Sequence, residues 1–123
     1  MKIKQVLEID CILSSMNKVI QANRSNRYVG AKIKKKNTEL VAWSCKVQKI
    51  KPFTKKINLN ITFYCKDRRT DKDNIISTTK FILDGLVEAG VIPNDGWNEI
   101  GDLNYNFKID KKRPRTIIEM EEK

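Results

Sequence analysis

The chain has no histidine among its 123 residues. That absence removes His-based acid–base chemistry and the Ser–His and Cys–His nucleophile systems. It also argues against zinc, because Cys11, Cys45 and Cys65 stand far apart with no CxxC pair. An odd number of cysteines at wide spacing is no disulfide framework either, and reads as a reducing, cytoplasmic setting. No apolar run approaches the ~20 residues of a membrane span, and the N-terminus lacks the apolar stretch of a signal peptide. No helix has a bulky apolar face to spare for lipid, so no membrane partner is expected. Repeats, linkers and low-complexity segments are missing too, which leaves one expected domain over residues 1–123. The chemistry that remains is that of carboxylates, lysines and a metal they hold.

Charge is what the chain has in excess. Twenty-five Lys and Arg against fifteen Asp and Glu give a formal net charge of +10 and a pI near 9.6. Such an excess suggests a polyanionic partner, against the plainer alternative of a solvated surface. The cations are clustered: Lys32 with Lys34–Lys36, Lys49 with Lys51, Lys55 and Lys56, Lys66 with Arg68, Arg69 and Lys72, and Lys111 and Lys112 with Arg113 and Arg115. The acids gather elsewhere. Residues 67–102 hold eight of the fifteen acids and four of the twenty-five cations, so that segment is −4 and the rest +14.

Periodicity sets the elements. "QVLEIDCIL" (5–13) predicts a strand and 14–22 a short helix or turn. Val29, Ile33, Leu40, Trp43, Val47 and Ile50 fall at helical spacing, which predicts one long amphipathic helix over 26–50 ending before Pro52. "INLNITFYC" (57–65) alternates cleanly as a strand. Residues 75–89 predict a helix stopped by Gly90. Residues 103–109 and 116–120 predict two closing strands that read as an antiparallel hairpin. A strand–helix–strand order gives an α/β fold: a single domain with a four-stranded mixed sheet and flanking helices.

Asp71 and Asp73 follow the end of strand 57–65, where α/β sheets usually build their sites. Asp95, in "PNDGW", follows the next helix. Three carboxylates meeting at one point repel unless a divalent cation neutralises them. Mg²⁺ prefers hard oxygen ligands and keeps waters that serve as nucleophile. An acid-held metal inside a basic surface is what phosphodiester cleavage requires. Each acid also has a plainer reading: Asp73 as a helix N-cap, Asp71 and Asp95 as turn residues.

"DRRTDKDN" followed by "KFILDGLVEAGVIPNDG" resembles the RusA family of Holliday junction resolvases, bacterial and phage endonucleases that cut four-way DNA junctions. The resemblance covers roughly residues 55–121. It implies a RusA-like α/β fold, a homodimer, branched DNA as partner, and Mg²⁺-dependent paired nicks in recombination and repair, with Mn²⁺ as the substitute ion. It also implies a bacterial cytoplasm and a phage or prophage origin. Carried over by position, the metal-binding acids are Asp71, Asp73 and Asp95, and the catalytic lysine is Lys80. Arg68, Arg69, Lys72 and Lys66, with Lys34, Lys35, Lys36 and Arg27, are the expected DNA contacts. Asn74 is an expected supporting group, and Asp84, at i,i+4 from Lys80, is expected either to orient that lysine or to make a plain solvent-facing pair with it. The chain departs from the family pattern twice. An Asn94–Asp95 pair stands where two acids are common, and Lys80 follows Asp73 by seven positions rather than four. On a helix that is a rise of about 10 Å instead of about 6 Å, unless residues 75–77 form an extra turn. Trp43 is expected in the core or at a dimer contact, and Trp97 in the core or in turn packing rather than base stacking. Two rival readings stand beside this one: a basic nucleic-acid-binding module without catalysis, and an Asp–Mg²⁺ phosphotransfer or phosphatase site.

Overall fold

The computed structural model describes residues 2–123, apart from the side chains of 16, 17 and 25. Its centre is β2 (Ile57–Cys65), whose alternation turns Ile57, Leu59, Ile61, Phe63 and Cys65 to one face, all buried. Three further strands, β1 (Lys4–Ile9), β3 (Ile100–Ile109) and β4 (Arg115–Glu122), complete a sheet of order β1-β4-β2-β3. β4 runs antiparallel to both β1 and β2, and β2 runs parallel to β3. β1, β2 and β3 therefore end at the same edge. Pairing aligns Leu7, Ile118, Ile61 and Tyr105 in one row and Ile9, Thr116, Phe63 and Phe107 in the next. Phe63 stacks on Tyr105 and Phe107 at 6.3 and 5.6 Å between ring centroids.

The four-stranded mixed sheet is as the sequence predicts, but the closing hairpin is not. β2 lies between β3 and β4. A helical crossover from β2 returns the chain in the same direction, so β3 takes one edge of β2 as a parallel partner. β4 is left to pair on the other edge, and residues 110–114 pass across the end of β2.

Four helices, α1 (Met16–Ser25), α2 (Arg27–Val47), α3 (Lys72–Ile76) and α4 (Thr79–Glu88), join the strands. Asn26 ends α1 and starts α2. Its backbone is extended, and its side chain accepts from the Tyr28 amide at 2.9 Å. α4 closes as predicted on Gly90, at φ 78°, with Gly90 N–H donating to Val87 O and Val91 N–H to Leu86 O. α2 ends in the same motif, with Lys49 in the left-handed position at φ 57°.

Two helix expectations are corrected. The buried face of α2 runs through Gly30, Asn37, Val41, Ala42, Ser44 and Cys45. Val29, Trp43 and Val47 are exposed, and Ile33, Leu40 and Ile50 half-buried. Small and polar residues mark the true contact face, which hydrophobicity does not score: Gly85 of α4 lies against Val41, and Asn37 donates to Ser14 O at 3.0 Å. The single helix over 75–89 is instead α3 and α4, broken at Ser77–Thr78. Ser77, Thr78 and Thr79 each turn the hydroxyl back onto a carbonyl three residues earlier, which competes with a continuous helix. The other elements differ at their ends, β1 stopping at Ile9 and β3 starting at Ile100. Among the described residues no helix is long and apolar enough to cross a membrane.

Candidate active site

Because β1, β2 and β3 end together, the loops that leave them meet at one edge. Residues 66–71 form the middle loop, with a cleft on each side. One cleft, of about 470 Å³, is bounded by the loop after β1 and the start of α1, with Lys18 and Lys66 on its wall. The other, of about 680 Å³, lies toward the end of β3 and is walled by Arg68, Asp71, Lys72 and Lys108. Cys65, Asp67, Thr70 and Ile75 line both. Asp67 shapes the loop: its carboxylate accepts from the Arg69 amide at 3.0 Å and pairs with the Arg69 guanidinium at 3.8 Å.

Asp71 is the N-cap residue of α3, yet its side chain makes no capping hydrogen bond. Asp73 lies in the first turn of α3, so it is not the cap. Both are exposed. Asp95 is half-buried in the turn after α4, where its amide donates to Asn94 Oδ1 at 2.9 Å.

Lys80, at the start of α4, bonds Asp84 at 3.1 Å. That hydrogen bond raises the Lys80 pKa above its usual 10.5, and the Asp84 charge raises it further; partial burial opposes this, and the Asp95 charge adds to it. Asp84 is thus the main partner of Lys80, and Asp95 acts on it only through its charge. A cation near a helix N-terminus opposes the helix dipole, and Asp84 offsets that cost. The tight turn between α3 and α4 falls where Lys80 has its extra spacing. Asn74 is half-buried in α3, and its carbonyl accepts from Ser77.

The acid donors suit a hard divalent cation by chemistry, since none of the Asp71, Asp73 and Asp95 carboxylates is committed to a hydrogen bond or ion pair among the described residues. Their placement gives two parts, Asp71 with Asp73 at the start of α3 and Asp95 in the turn after α4. Among the described residues no three of His, Cys, Asp and Glu form a group ready to hold a metal.

The expected basic residues fall in two places. Lys66, Arg68, Arg69 and Lys72 are exposed on or beside the middle loop, and Lys72 also lies 5.3 Å from the Phe107 ring centroid. Arg27, Lys34, Lys35 and Lys36 are exposed on the first half of α2. Lys35 pairs with Glu39 at 3.8 Å, and the Lys36 charge reaches Cys11, at the end of β1. The cluster near residue 113 is different. Arg113 bonds Glu8 at 2.7 Å, and Arg115 bonds Asp110 at 2.8 Å and lies 3.8 Å over Tyr64. Sequence reasoning missed Lys18 and Lys108 as cleft residues. Lys108 continues the alternation of β3, a usable signal, whereas Lys18 arrives only through the tertiary fold. Burial raises the pKa of all three cysteines, Cys45 to about 11, so none is a ready thiolate nucleophile.

A family model described as Endodeoxyribonuclease RusA matches residues 12–121. The chain belongs to this family. Comparison with curated proteins returns no match. RusA family membership supports a nuclease activity for this chain. The match also takes in α1, α2 and most of the loop after β1, which precede the residues 55–121 over which the resemblance runs.

Proposed function

We propose that this chain is a Mg²⁺-dependent endonuclease that resolves four-way DNA junctions by paired symmetric nicks, acting as a homodimer in recombination and repair. The observation that carries the reading is the uncommitted acids Asp71 and Asp73 on the same strand-end edge as two clefts walled by Lys18, Lys66, Arg68, Lys72 and Lys108. In this reading Asp71, Asp73 and Asp95 supply oxygen ligands to Mg²⁺, or to Mn²⁺ in its place. When bound, the ion activates water and stabilises charge on the scissile phosphate. The chain's own residues do the rest. Lys66, Arg68, Arg69 and Lys72 hold the phosphates around the break, and Arg27 with Lys34–Lys36 hold a more distant part of the DNA. Lys80, kept charged by Asp84, faces the developing negative charge. One chain carries one set of acids and a junction has two strands to cut, so a two-fold dimer supplies the second site.

One observation favours the rival, a basic module that binds without cutting: the three acids are not gathered into one group. A single assay separates the two. A labelled synthetic junction and a duplex control are incubated with and without Mg²⁺. The nuclease reading expects symmetric nicks in the junction that need the metal. Asp71→Asn, Asp73→Asn and Asp95→Asn should each lower the rate by at least about 100-fold, a scale reached even by groups that only support metal ligands. Junction binding should be retained or tightened, since negative charge is removed near the phosphates. Cutting by Asp71→Asn or Asp73→Asn protein at the unmutated rate would overturn the reading. Sedimentation that finds only monomer in an active preparation would remove the dimer.

A further inference from the structure

Asp71 and Asp73 stand at the start of α3 and Lys80 at the start of α4. Their relation depends on how the chain turns between the two helices, at Ser77 and Thr78. α3 is five residues long, too short to be stable by itself in water. Something outside it has to fix its angle to α4.

Thr79, the first residue of α4, is where the sheet takes hold. Its hydroxyl lies 3.0 Å from the hydroxyl of Tyr105 on β3 and 2.6 Å from the carbonyl of Ile76, the last residue of α3. A threonine hydroxyl has one proton to give and lone pairs to accept with. The Ile76 carbonyl can only accept, so the threonine proton goes there, and the Tyr105 O–H is the donor to Thr79. The bonds therefore run one way, from Tyr105 to Thr79 to Ile76, and join β3, the start of α4 and the end of α3. Thr79 is buried and Tyr105 half-buried, so water competes weakly for these bonds. Tyr105 is itself held, because its ring stacks on the buried Phe63 of the central strand.

We propose that Tyr105 and Thr79 are positioning residues, whose two hydroxyl bonds set α3, with Asp71 and Asp73, against α4, with Lys80. This rests on the nuclease reading above and adds to it the part of the chain that fixes the site's geometry. Neither residue lines either cleft, so both act through the acids and the lysine. A reacting group misplaced by about 1 Å can lower a rate by roughly 10²-fold.

The test compares single-turnover cleavage of a saturating labelled junction in Mg²⁺ with junction affinity in EDTA. Tyr105→Phe removes one oxygen and keeps the ring on Phe63. It should lower the melting temperature by no more than about 5 °C. Tyr105→Phe and Thr79→Val should each slow cleavage by roughly 10- to 100-fold, with affinity unchanged. Thr79→Ser keeps the hydroxyl and should cut at nearly the unmutated rate. The double variant should be no slower than Thr79→Val alone, because both changes break one chain of bonds. In the free protein, without metal or DNA, the amides of Lys80, Phe81 and Ile82, which bond back to Ser77 and Thr78, should exchange with solvent faster in Tyr105→Phe. Unmutated protein that cuts no junction in Mg²⁺ overturns the nuclease reading and this proposal together. If the unmutated protein cuts, Tyr105→Phe protein that cuts at the same rate overturns this proposal alone. So does a loss that Thr79→Ser shares with Thr79→Val, or one that falls on junction affinity as much as on rate, which would make these bonds a general support of the fold.

Discussion

Lys80 sits in an unfavourable place. At the start of α4 its charge meets the positive end of the helix dipole, and Asp84 one turn on keeps it protonated. The pKa is raised in the folded state, so the stabilising effect of this pair is fully present below pH 10.5 and is lost as pH rises through the raised value. The side chain is 61% exposed, so the effect on overall stability is small. The effect on cleavage is the useful readout. If Lys80 faces the phosphate, Lys80→Ala should lower the maximal rate, and Asp84→Asn should move the alkaline limb of the pH–rate profile downward without abolishing activity. A profile unchanged by Asp84→Asn would remove the pair from the reaction. The residue types at this edge were legible in the sequence, because acids after a strand in a basic chain carry a meaning. The exposure of Trp97, 92% where packing in the core or on its turn is expected, was not, since nothing in "NDGWNEI" reports which way an indole points.

At the scale of elements, the α2–α4 crossing is set by Gly85. A Cβ there would lie 2.4 Å from Val41 Cβ and 3.0 Å from Thr38 O. Gly85→Ala should therefore destabilise the fold by about 1–3 kcal/mol through overpacking, despite the better helix propensity of alanine, as thermal melting would show. Lys49 gives the opposite sign. It occupies the left-handed position that ends α2, a conformation costing an L side chain roughly 1–2 kcal/mol. Lys49→Gly should raise stability by about 0.5–1 kcal/mol, read as a higher denaturant midpoint with an unchanged slope. The strand of β2 and the stop at Gly90 were legible because alternation and glycine chemistry are local. The break between α3 and α4 was signalled by Ser77-Thr78-Thr79, whose hydroxyls compete for carbonyls, but apolar periodicity passes over it. The face of α2 could not be read at all, because its contact is made by Gly30, Asn37 and Ser44, and only the neighbouring helices reveal that.

Across the whole molecule, charge is divided by position. Arg113 and Arg115 are held by Glu8, Asp10 and Asp110 and by the Tyr64 ring, so this cluster holds the sheet edge together. The middle loop and the first half of α2 keep their cations toward solvent. DNA affinity should fall with salt at a log–log slope of roughly −0.9 per phosphate contacted. Replacing Lys34, Lys35 and Lys36 by Gln should make that slope shallower by roughly 0.9 for each lysine that touches a phosphate. Arg113→Gln should leave it unchanged and lower the melting temperature instead. Equal slopes for all the variants would remove α2 from the DNA surface.

The position of β4 has a consequence in time. It is the last strand in sequence, yet it is the partner that joins β1 to β2. As the chain leaves a ribosome, β1 emerges first and has no sheet neighbour until some hundred residues later. Until then β2 has one bare edge, and the loop after β1 cannot be anchored beside the middle loop. Pairings this distant in sequence form slowly. The cleft beside the loop after β1 is thus completed late, whereas the other, lined by residues between 65 and 109, needs only β2, β3 and α3; a prematurely halted chain therefore carries only part of the basic surface.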